Sequence, residues 1–161
     1  MHKELDFALE LRKQGKLEES KDIISKLAED NPEDVYINYQ CAWSFDVLGM
    51  ESKAVPYYEK AIKKGLSDED LQGALLGLGS TYRTLGIYDK SKETLERAVK
   101  LFPNNRAFQT FYAMTLYNLN EHSKAMELLL KNLVETTMDE NVKKYEKAIE
   151  FYADKLDTIW D

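Results

Sequence analysis

The stretch that decides the fold is Leu75–Pro103, with the sequence LLGLGSTYRTLGIYDKSKETLERAVKLFP. Apolar and small residues recur every three or four positions on either side of Gly86. This spacing places them on one face of a helix, so the stretch predicts two amphipathic helices joined by a tight turn. Pro103 is expected to end the second helix, because proline cannot continue one. The stretch is therefore predicted to be a helical hairpin.

The turn residue of this hairpin recurs along the chain at intervals of 34, 37 and 34 residues. The recurring residues are Gly15, Gly49, Gly86 and Asn120. Glycine and asparagine tolerate the left-handed backbone conformation that ends many helices, so the four residues are expected to do the same job. A positive φ is predicted at Gly49 and Gly86, where the chain must reverse within a few residues.

Two small residues recur in the same register, one on each helix of the hairpin. On the first helices they are Ala8, Ala42, Gly79 and Ala113, and on the second helices Ser20, Ala54, Ser91 and Ala125. The repetition divides the chain into four units, at about residues 1–34, 35–71, 72–105 and 106–137. The three extra residues of the long interval lie near Ser67–Asp70, where Ser67 or Asp68 could cap the next helix and lengthen it at its start.

The repeated pattern resembles the tetratricopeptide repeat, which has a large residue, Leu-Gly and Tyr on its first helix and a closing proline after its second. Leu75 stands where tryptophan is usual, Ser91 where alanine is usual and Leu95 where phenylalanine is usual. The resemblance covers residues 1–137. It implies an all-α fold, a right-handed α-solenoid of four helix pairs in one domain.

The residues after the fourth unit predict one more helix, at about 139–160 and beginning at Asp139. Its apolar residues, at spacings of three and four, are Val142, Tyr145, Ile149, Tyr152, Leu156 and Ile159. Terminal elements of helical stacks normally cover the last apolar face, so a capping helix with most of this stripe buried is expected. The alternative is a helix offered to a partner or to a second copy of the chain.

Composition narrows the possible functions. The net charge of −7 disfavours a nucleic-acid partner, which requires clustered Lys and Arg. A single cysteine excludes an internal disulfide framework. No apolar run is long enough for a membrane span, and the first residues do not suggest a signal peptide, so a cytoplasmic location is expected.

The residue types used in catalysis do not assemble in this sequence. Cys41 precedes the small residue Ala42 on a packed helix face and is interpreted as a buried structural thiol. His2 and His122 have no Cys or His neighbours at metal-ligand spacing. Gly73, Gly77 and Gly79 lie within a predicted helix and are interpreted as close-packing positions, not as a phosphate loop. No catalytic residue, metal or cofactor is predicted, and the chain is not expected to be an enzyme.

The resemblance implies a concave groove lined by the first helix of each unit. The resemblance also implies which positions of these helices line the groove, and within each helix they are three or four residues apart, so they share a face. The candidate peptide-binding residues are Arg12, Tyr36, Tyr39, Trp43, Asp46, Ser80, Arg83, Met114 and Tyr117. Two readings of Arg12, Asp46 and Arg83 stay open, because these residues could recognise a ligand or could pair to hold adjacent repeats in register.

The predicted function is a non-enzymatic protein–protein interaction module that binds a peptide segment of a partner in this groove. Because arginine can fork onto a carboxylate, acidic or C-terminal peptides are the expected first ligands. The family's carboxylate clamp of paired asparagines and lysines is absent from the corresponding positions. The alternative is a self-associating scaffold, such as a homodimer, that uses the C-terminal helix or the uncapped N-terminal face.

Overall fold

The computed structural model describes residues 3–161, and all regular secondary structure in that range is helical. The helices are α1 Lys3–Lys13, α2 Leu17–Asp30, α3 Val35–Asp46, α4 Glu51–Lys64, α5 Asp68–Thr84, α6 Tyr88–Leu101, α7 Arg106–Asn118, α8 His122–Thr136, α9 Glu140–Lys144 and α10 Glu146–Tyr152. The first eight are the two helices predicted for each of the four repeats. The predicted fold class, an all-α solenoid of tetratricopeptide-like hairpins, is confirmed.

Packing divides the chain into two compact units, Met1–Ile87 and Tyr88–Asp161. In the first unit, α3 packs against α2, α4 and α5, and α1 packs against α2. In the second unit, α7 packs against α6 and α8, and α10 packs against α8. The division falls between the two helices of the third sequence repeat, so α5 belongs to the first unit and α6 to the second.

The four turns within the hairpins share one hydrogen-bond pattern. The turn residues have positive φ, at Gly15 (80°), Gly49 (69°), Gly86 (74°) and Asn120 (61°). Each turn residue donates its N–H to the carbonyl three residues earlier, and the next residue donates to the carbonyl five residues earlier, as Gly86 does to Arg83 and Ile87 does to Tyr82. These bonds satisfy carbonyls at the end of the helix. The predicted turns are confirmed.

The recurring small residues of the first and second helices are buried in all four repeats. In the second unit they include Ser91, whose hydroxyl lies 2.8 Å from the hydroxyl of Thr115 on α7. Small side chains let two helices approach closely, and the paired hydroxyls satisfy each other where water is absent. The contact of α6 with α7 thus uses a small buried residue that the repeat pattern marks.

The insertion before the third repeat lengthens α5 at its N-terminus. Ser67 is the N-cap, and its hydroxyl accepts a hydrogen bond from the N–H of Asp70. Asp68, Glu69 and Asp70 occupy the first turn, where carboxylates interact favourably with the helix dipole. This prediction is confirmed, and it moves the start of the third hairpin from about residue 72 to Asp68.

The prediction of one continuous terminal helix over 139–160 is wrong. Asp139 caps α9 as expected, but Tyr145 leaves the helical conformation (φ −107°, ψ 10°) and α10 ends at Tyr152. The chain then turns, and the carboxylate of Asp157 accepts a hydrogen bond from Ser123 on α8. A straight helix would carry the chain past that contact.

The apolar stripe of the terminal segment is also less buried than predicted. Tyr145 is 66% exposed and Ile159 is 95% exposed, while Tyr152 and Leu156 are about half exposed. Ala153, outside the predicted stripe, is buried. The packing of α10 on α8 nevertheless covers part of the fourth hairpin.

Candidate functional site

Three aromatic side chains of α3 form a continuous strip in the first unit. The ring centres of Tyr36 and Tyr39 lie 6.4 Å apart in an edge-to-face arrangement, and those of Tyr39 and Trp43 lie 6.3 Å apart in a stacked one. Tyr36 is 40% exposed and Trp43 is 42% exposed, whereas Tyr39 is only 8% exposed. The sequence predicts three surface residues, but the structure presents two and buries the third between them.

Tyr39 is buried because α5 has no side chain where the tyrosine hydroxyl lies. A β-carbon at Gly73 would overlap that hydroxyl. Gly77, one turn later on α5, likewise leaves room for the hydroxyl of Tyr58 on α4. The interpretation of Gly73 and Gly77 as close-packing positions is therefore confirmed. Tyr58 was not singled out in the sequence because it belongs to a second helix, outside the predicted groove positions.

Arg12 of α1 fixes the Trp43 end of the strip. Its guanidinium carbon lies 4.6 Å from the centre of the Trp43 ring, within the range of a cation–π contact. Its terminal nitrogens donate to the side-chain oxygen of Gln40 (2.7 Å), the carbonyl of Gln40 (2.9 Å) and the hydroxyl of Ser44 (2.7 Å). All these partners are on α3, so Arg12 joins α1 to α3.

These bonds limit what Arg12 can offer to a ligand. Arginine has five N–H donors, and three of them are used within the protein. A fourth, on Nε, is buried without a partner. A bidentate fork onto a carboxylate needs two free parallel donors, and Arg12 retains one. Arg12 thus joins the adjacent repeats through Gln40 and Ser44 and not through the predicted pair with Asp46.

Asp46 has a different set of partners from those predicted. Its carboxylate accepts a hydrogen bond from the hydroxyl of Tyr58 at 3.0 Å, and the side chain of Thr81 lies close to it. Neither contact involves an arginine. Burial raises the pKa of the Asp46 carboxyl above its ordinary value, and the hydrogen bond from the Tyr58 hydroxyl opposes that rise. Asp46 therefore belongs to a half-buried polar cluster that joins α3, α4 and α5.

The remaining candidate residues lie on α5 and α7. Ser80 and Arg83 of α5 are half-buried in the first unit. Met114 and Tyr117 of α7 are exposed in the second unit, and the Tyr117 ring lies 4.8 Å from that of His122. His2, considered in the sequence as a metal ligand but without neighbours at ligand spacing, lies outside the described residues.

Burial makes the thiol of Cys41 unreactive in this structure. Cys41 is fully buried, and burial raises the pKa of its thiol to about 11, so the nucleophilic thiolate is scarce at neutral pH. In residues 3–161, no cluster of His, Cys, Asp and Glu could hold a metal ion. Among the described helices, none is long and apolar enough to cross a membrane.

Comparison with known proteins identifies the family. The family model described as tetratrico peptide repeat matches residues 35–156, and the chain belongs to this family. A curated relative, Superkiller protein 3 of Saccharomyces cerevisiae, is 24% identical over 106 residues. The match covers 62% of this chain but only 7% of that protein. Membership of this family implies a protein–protein interaction module, and such modules are generally non-enzymatic.

Two similar solved structures agree with the fold. MamA residues 41 to the end, from Desulfovibrio magneticus RS-1, has a TM-score of 0.74 at 16% identity, over 96% of this chain and 88% of that one. YrrB, described as a tetratricopeptide repeat protein with an unusual peptide-binding site, has a TM-score of 0.63 at 19% identity. That match covers 95% of this chain and 87% of YrrB.

Proposed function

We propose that the chain binds a peptide segment of a partner protein through a surface centred on Trp43 and Tyr36. The observation that carries the proposal is that two large aromatic rings stay about 40% exposed while their neighbours hold them in place. Tyr39 packs between them and Arg12 lies over Trp43. Aromatic side chains fixed before binding supply contact area at a small entropic cost.

In the second unit, Met114 occupies the repeat position of Trp43 and Tyr117 that of Asp46, and both side chains are exposed. The proposal includes them as a contact surface of that unit. Ser80 and Arg83 are included at the edge of the first surface, while Tyr39 and Asp46 support it from within. The chain acts in this proposal as a binding module without a cofactor.

Selection from a displayed random-peptide library, followed by calorimetric titration, tests the proposal. Trp43→Ala is expected to weaken the selected peptides about tenfold or more, as truncation of a central aromatic residue usually does. Trp43→Phe, which keeps a ring, should weaken them less. Tyr145→Ala is the matched control, because it removes an exposed aromatic ring from the other unit.

Circular dichroism would confirm that the variants fold. Peptides that bind Trp43→Ala as well as they bind the wild type would reject this surface as the site. A library that yields no binder to the wild type would reject the function.

Self-association remains the second candidate function, favoured by one observation. Phe151, Tyr152 and Trp160 pack on one another near α10 and each is about half exposed. Light scattering of the wild type and of Phe151→Ala/Trp160→Ala tests this candidate. A monomeric wild type at high concentration would reject it, and a dimer that the double substitution dissociates would support it.

A further inference from the structure

We propose that the ligand of the Tyr36–Trp43 surface is an extended proline-rich segment with prolines three residues apart and a nearby Lys or Arg. The inference rests on the proposed peptide-binding function and names the chemistry of its partner. Three properties of the surface support it: the spacing of the exposed rings, the donors they carry, and the charges around them.

The spacing of the rings matches the polyproline II conformation. Tyr36 and Trp43 are seven residues apart on one helix, which separates them by about 10.5 Å along its axis. In polyproline II the side chains repeat every three residues, or about 9.3 Å. Two prolines three residues apart could therefore each pack on one exposed ring, with the edge of Tyr39 between them.

The hydrogen-bonding groups are also complementary. A polyproline segment has few N–H donors and leaves its carbonyl oxygens unpaired. The exposed rings carry donors, namely the indole N–H of Trp43 and the hydroxyl of Tyr36. Rings that combine an apolar face with a donor at the edge can bind the pyrrolidine ring and the carbonyl together.

The charges favour a basic segment over an acidic one. Arg12, which lies over Trp43, has used three of its donors on Gln40 and Ser44, so it cannot fork onto a ligand carboxylate. Asp70 and Glu69 of α5 lie close enough to the Tyr39 hydroxyl to add to the rise in its pKa that burial causes. A Lys or Arg beside the prolines would approach these carboxylates, and the net charge of −7 acts in the same direction.

Titration with synthetic peptides tests the inference. The probe is a blocked nine-residue peptide of three Pro-Pro-Lys units. One comparator replaces each Lys with Glu, and another replaces each Pro-Pro with Gly-Ser while keeping Lys. By calorimetry, the probe is expected to bind about tenfold or more tightly than either comparator, because it alone combines rigid prolines with a positive charge.

Variants then assign the two parts of the preference. Trp43→Ala and Tyr36→Ala should each remove the preference for Pro-Pro over Gly-Ser. Glu69→Gln/Asp70→Asn should leave that preference intact and remove the preference for Lys over Glu, as raised salt should also do. Tyr145→Ala should change neither preference.

The outcomes separate this inference from the proposed function. If the wild type binds the Gly-Ser peptide as well as the Pro-Pro-Lys peptide, the proline preference is wrong. If it binds the Glu peptide as well as the Lys peptide, the charge preference is wrong. Should library-selected peptides without prolines depend on Trp43 while the probe fails to bind, the peptide-binding function survives and this inference falls.

Discussion

Gly73 on α5 faces the hydroxyl of Tyr39 on α3 so closely that a β-carbon at position 73 would overlap the tyrosine oxygen. The next atom of the ring lies 3.1 Å from where that β-carbon would be. Tyr39, which supports the proposed binding surface from within, can pack there only because Gly73, 34 residues further along the chain, has no side chain.

Gly73→Ala is expected to destabilise the fold, although alanine is normally the better residue inside a helix. The helical gain of about 0.5–1 kcal/mol is outweighed by a cost of about 1–3 kcal/mol for the overlap. A net loss of about 1 kcal/mol should appear in urea unfolding. The loss should be smaller in a Tyr39→Phe background, which lacks the overlapping oxygen. A higher urea midpoint for Gly73→Ala than for the wild type would contradict the packing. The control is Ser52→Ala, on the exposed side of α4.

Gly86→Val is expected to destabilise the protein by more than about 1 kcal/mol. Gly86 has a φ of +74°, and a β-branched side chain is strained in that region. The matched control is Asn120→Gly, because Asn120 occupies the equivalent turn with a φ of +61° and glycine adopts it without strain. Thermal unfolding of both variants checks the prediction. An unchanged transition for Gly86→Val would contradict it.

The free energy of unfolding should fall in acid because the Glu121 carboxylate becomes protonated. Hydrogen bonds from Lys124 and Lys92 lower the pKa of the Glu121 carboxyl to about 2, below its ordinary 4.5. Because the folded state holds the carboxylate ionised, its stabilising contribution is complete above about pH 4.5 and is lost as the pH falls toward 2. Glu121→Gln should therefore have a lower urea midpoint than the wild type at pH 7, and the difference should shrink by pH 2.5.

The control for Glu121 is Glu140→Gln, which removes an exposed carboxylate paired with Lys143 within one short helix. That variant should stay close to the wild type throughout the pH range, because exposed pairs contribute little. A Glu121 carboxyl that titrates near 4.5 in a carbon-detected NMR experiment would contradict the assigned ion pairs.

The contribution of Asp46 to the free energy of unfolding should have the opposite pH dependence. Burial raises the pKa of its carboxyl above the ordinary 3.8, so the folded state takes up a proton at a higher pH than the unfolded chain does. The burial cost of the charged carboxylate is therefore present at neutral pH and is relieved as the pH falls toward 3.8. Asn keeps an acceptor for the Tyr58 hydroxyl, so Asp46→Asn should be more stable than the wild type at pH 7, by a margin that narrows in acid. Asp6→Asn, on the surface of α1, is the control.

A deficit of Asp46→Asn at pH 7 that disappears as the pH falls would contradict this account. It would indicate that the carboxylate has a charged partner in the folded protein.

The sequence predicts the structural features that depend on residues close together in the chain. Gly86 and Asn120 mark turns because few other residues tolerate their backbone conformation, and Ser67 marks a helix start because its hydroxyl accepts from the backbone. The burial of Tyr39 has no local signal, because it depends on Gly73 in another repeat. The partners of Arg12 depend likewise on how α1 packs against α3.

The break at Tyr145 was missed for a related reason. The apolar residues keep their helical spacing across that position, and no glycine or proline interrupts them. Spacing alone therefore predicts one helix. The contact that competes with it, between Ser123 and Asp157, joins residues 34 positions apart and is visible only in the folded chain.

The shared hydrogen-bond pattern of the four turns would let the chain gain or lose a whole helical segment. Each turn closes on carbonyls of its own hairpin, so a turn does not depend on which hairpin follows it. Excision of residues 16–49 would join Gly15 directly to Met50 and leave a turn with the same two bonds available. Genetic duplication or loss of one such segment could therefore alter the number of hairpins, and with it the extent of the binding surface, without inventing a new loop.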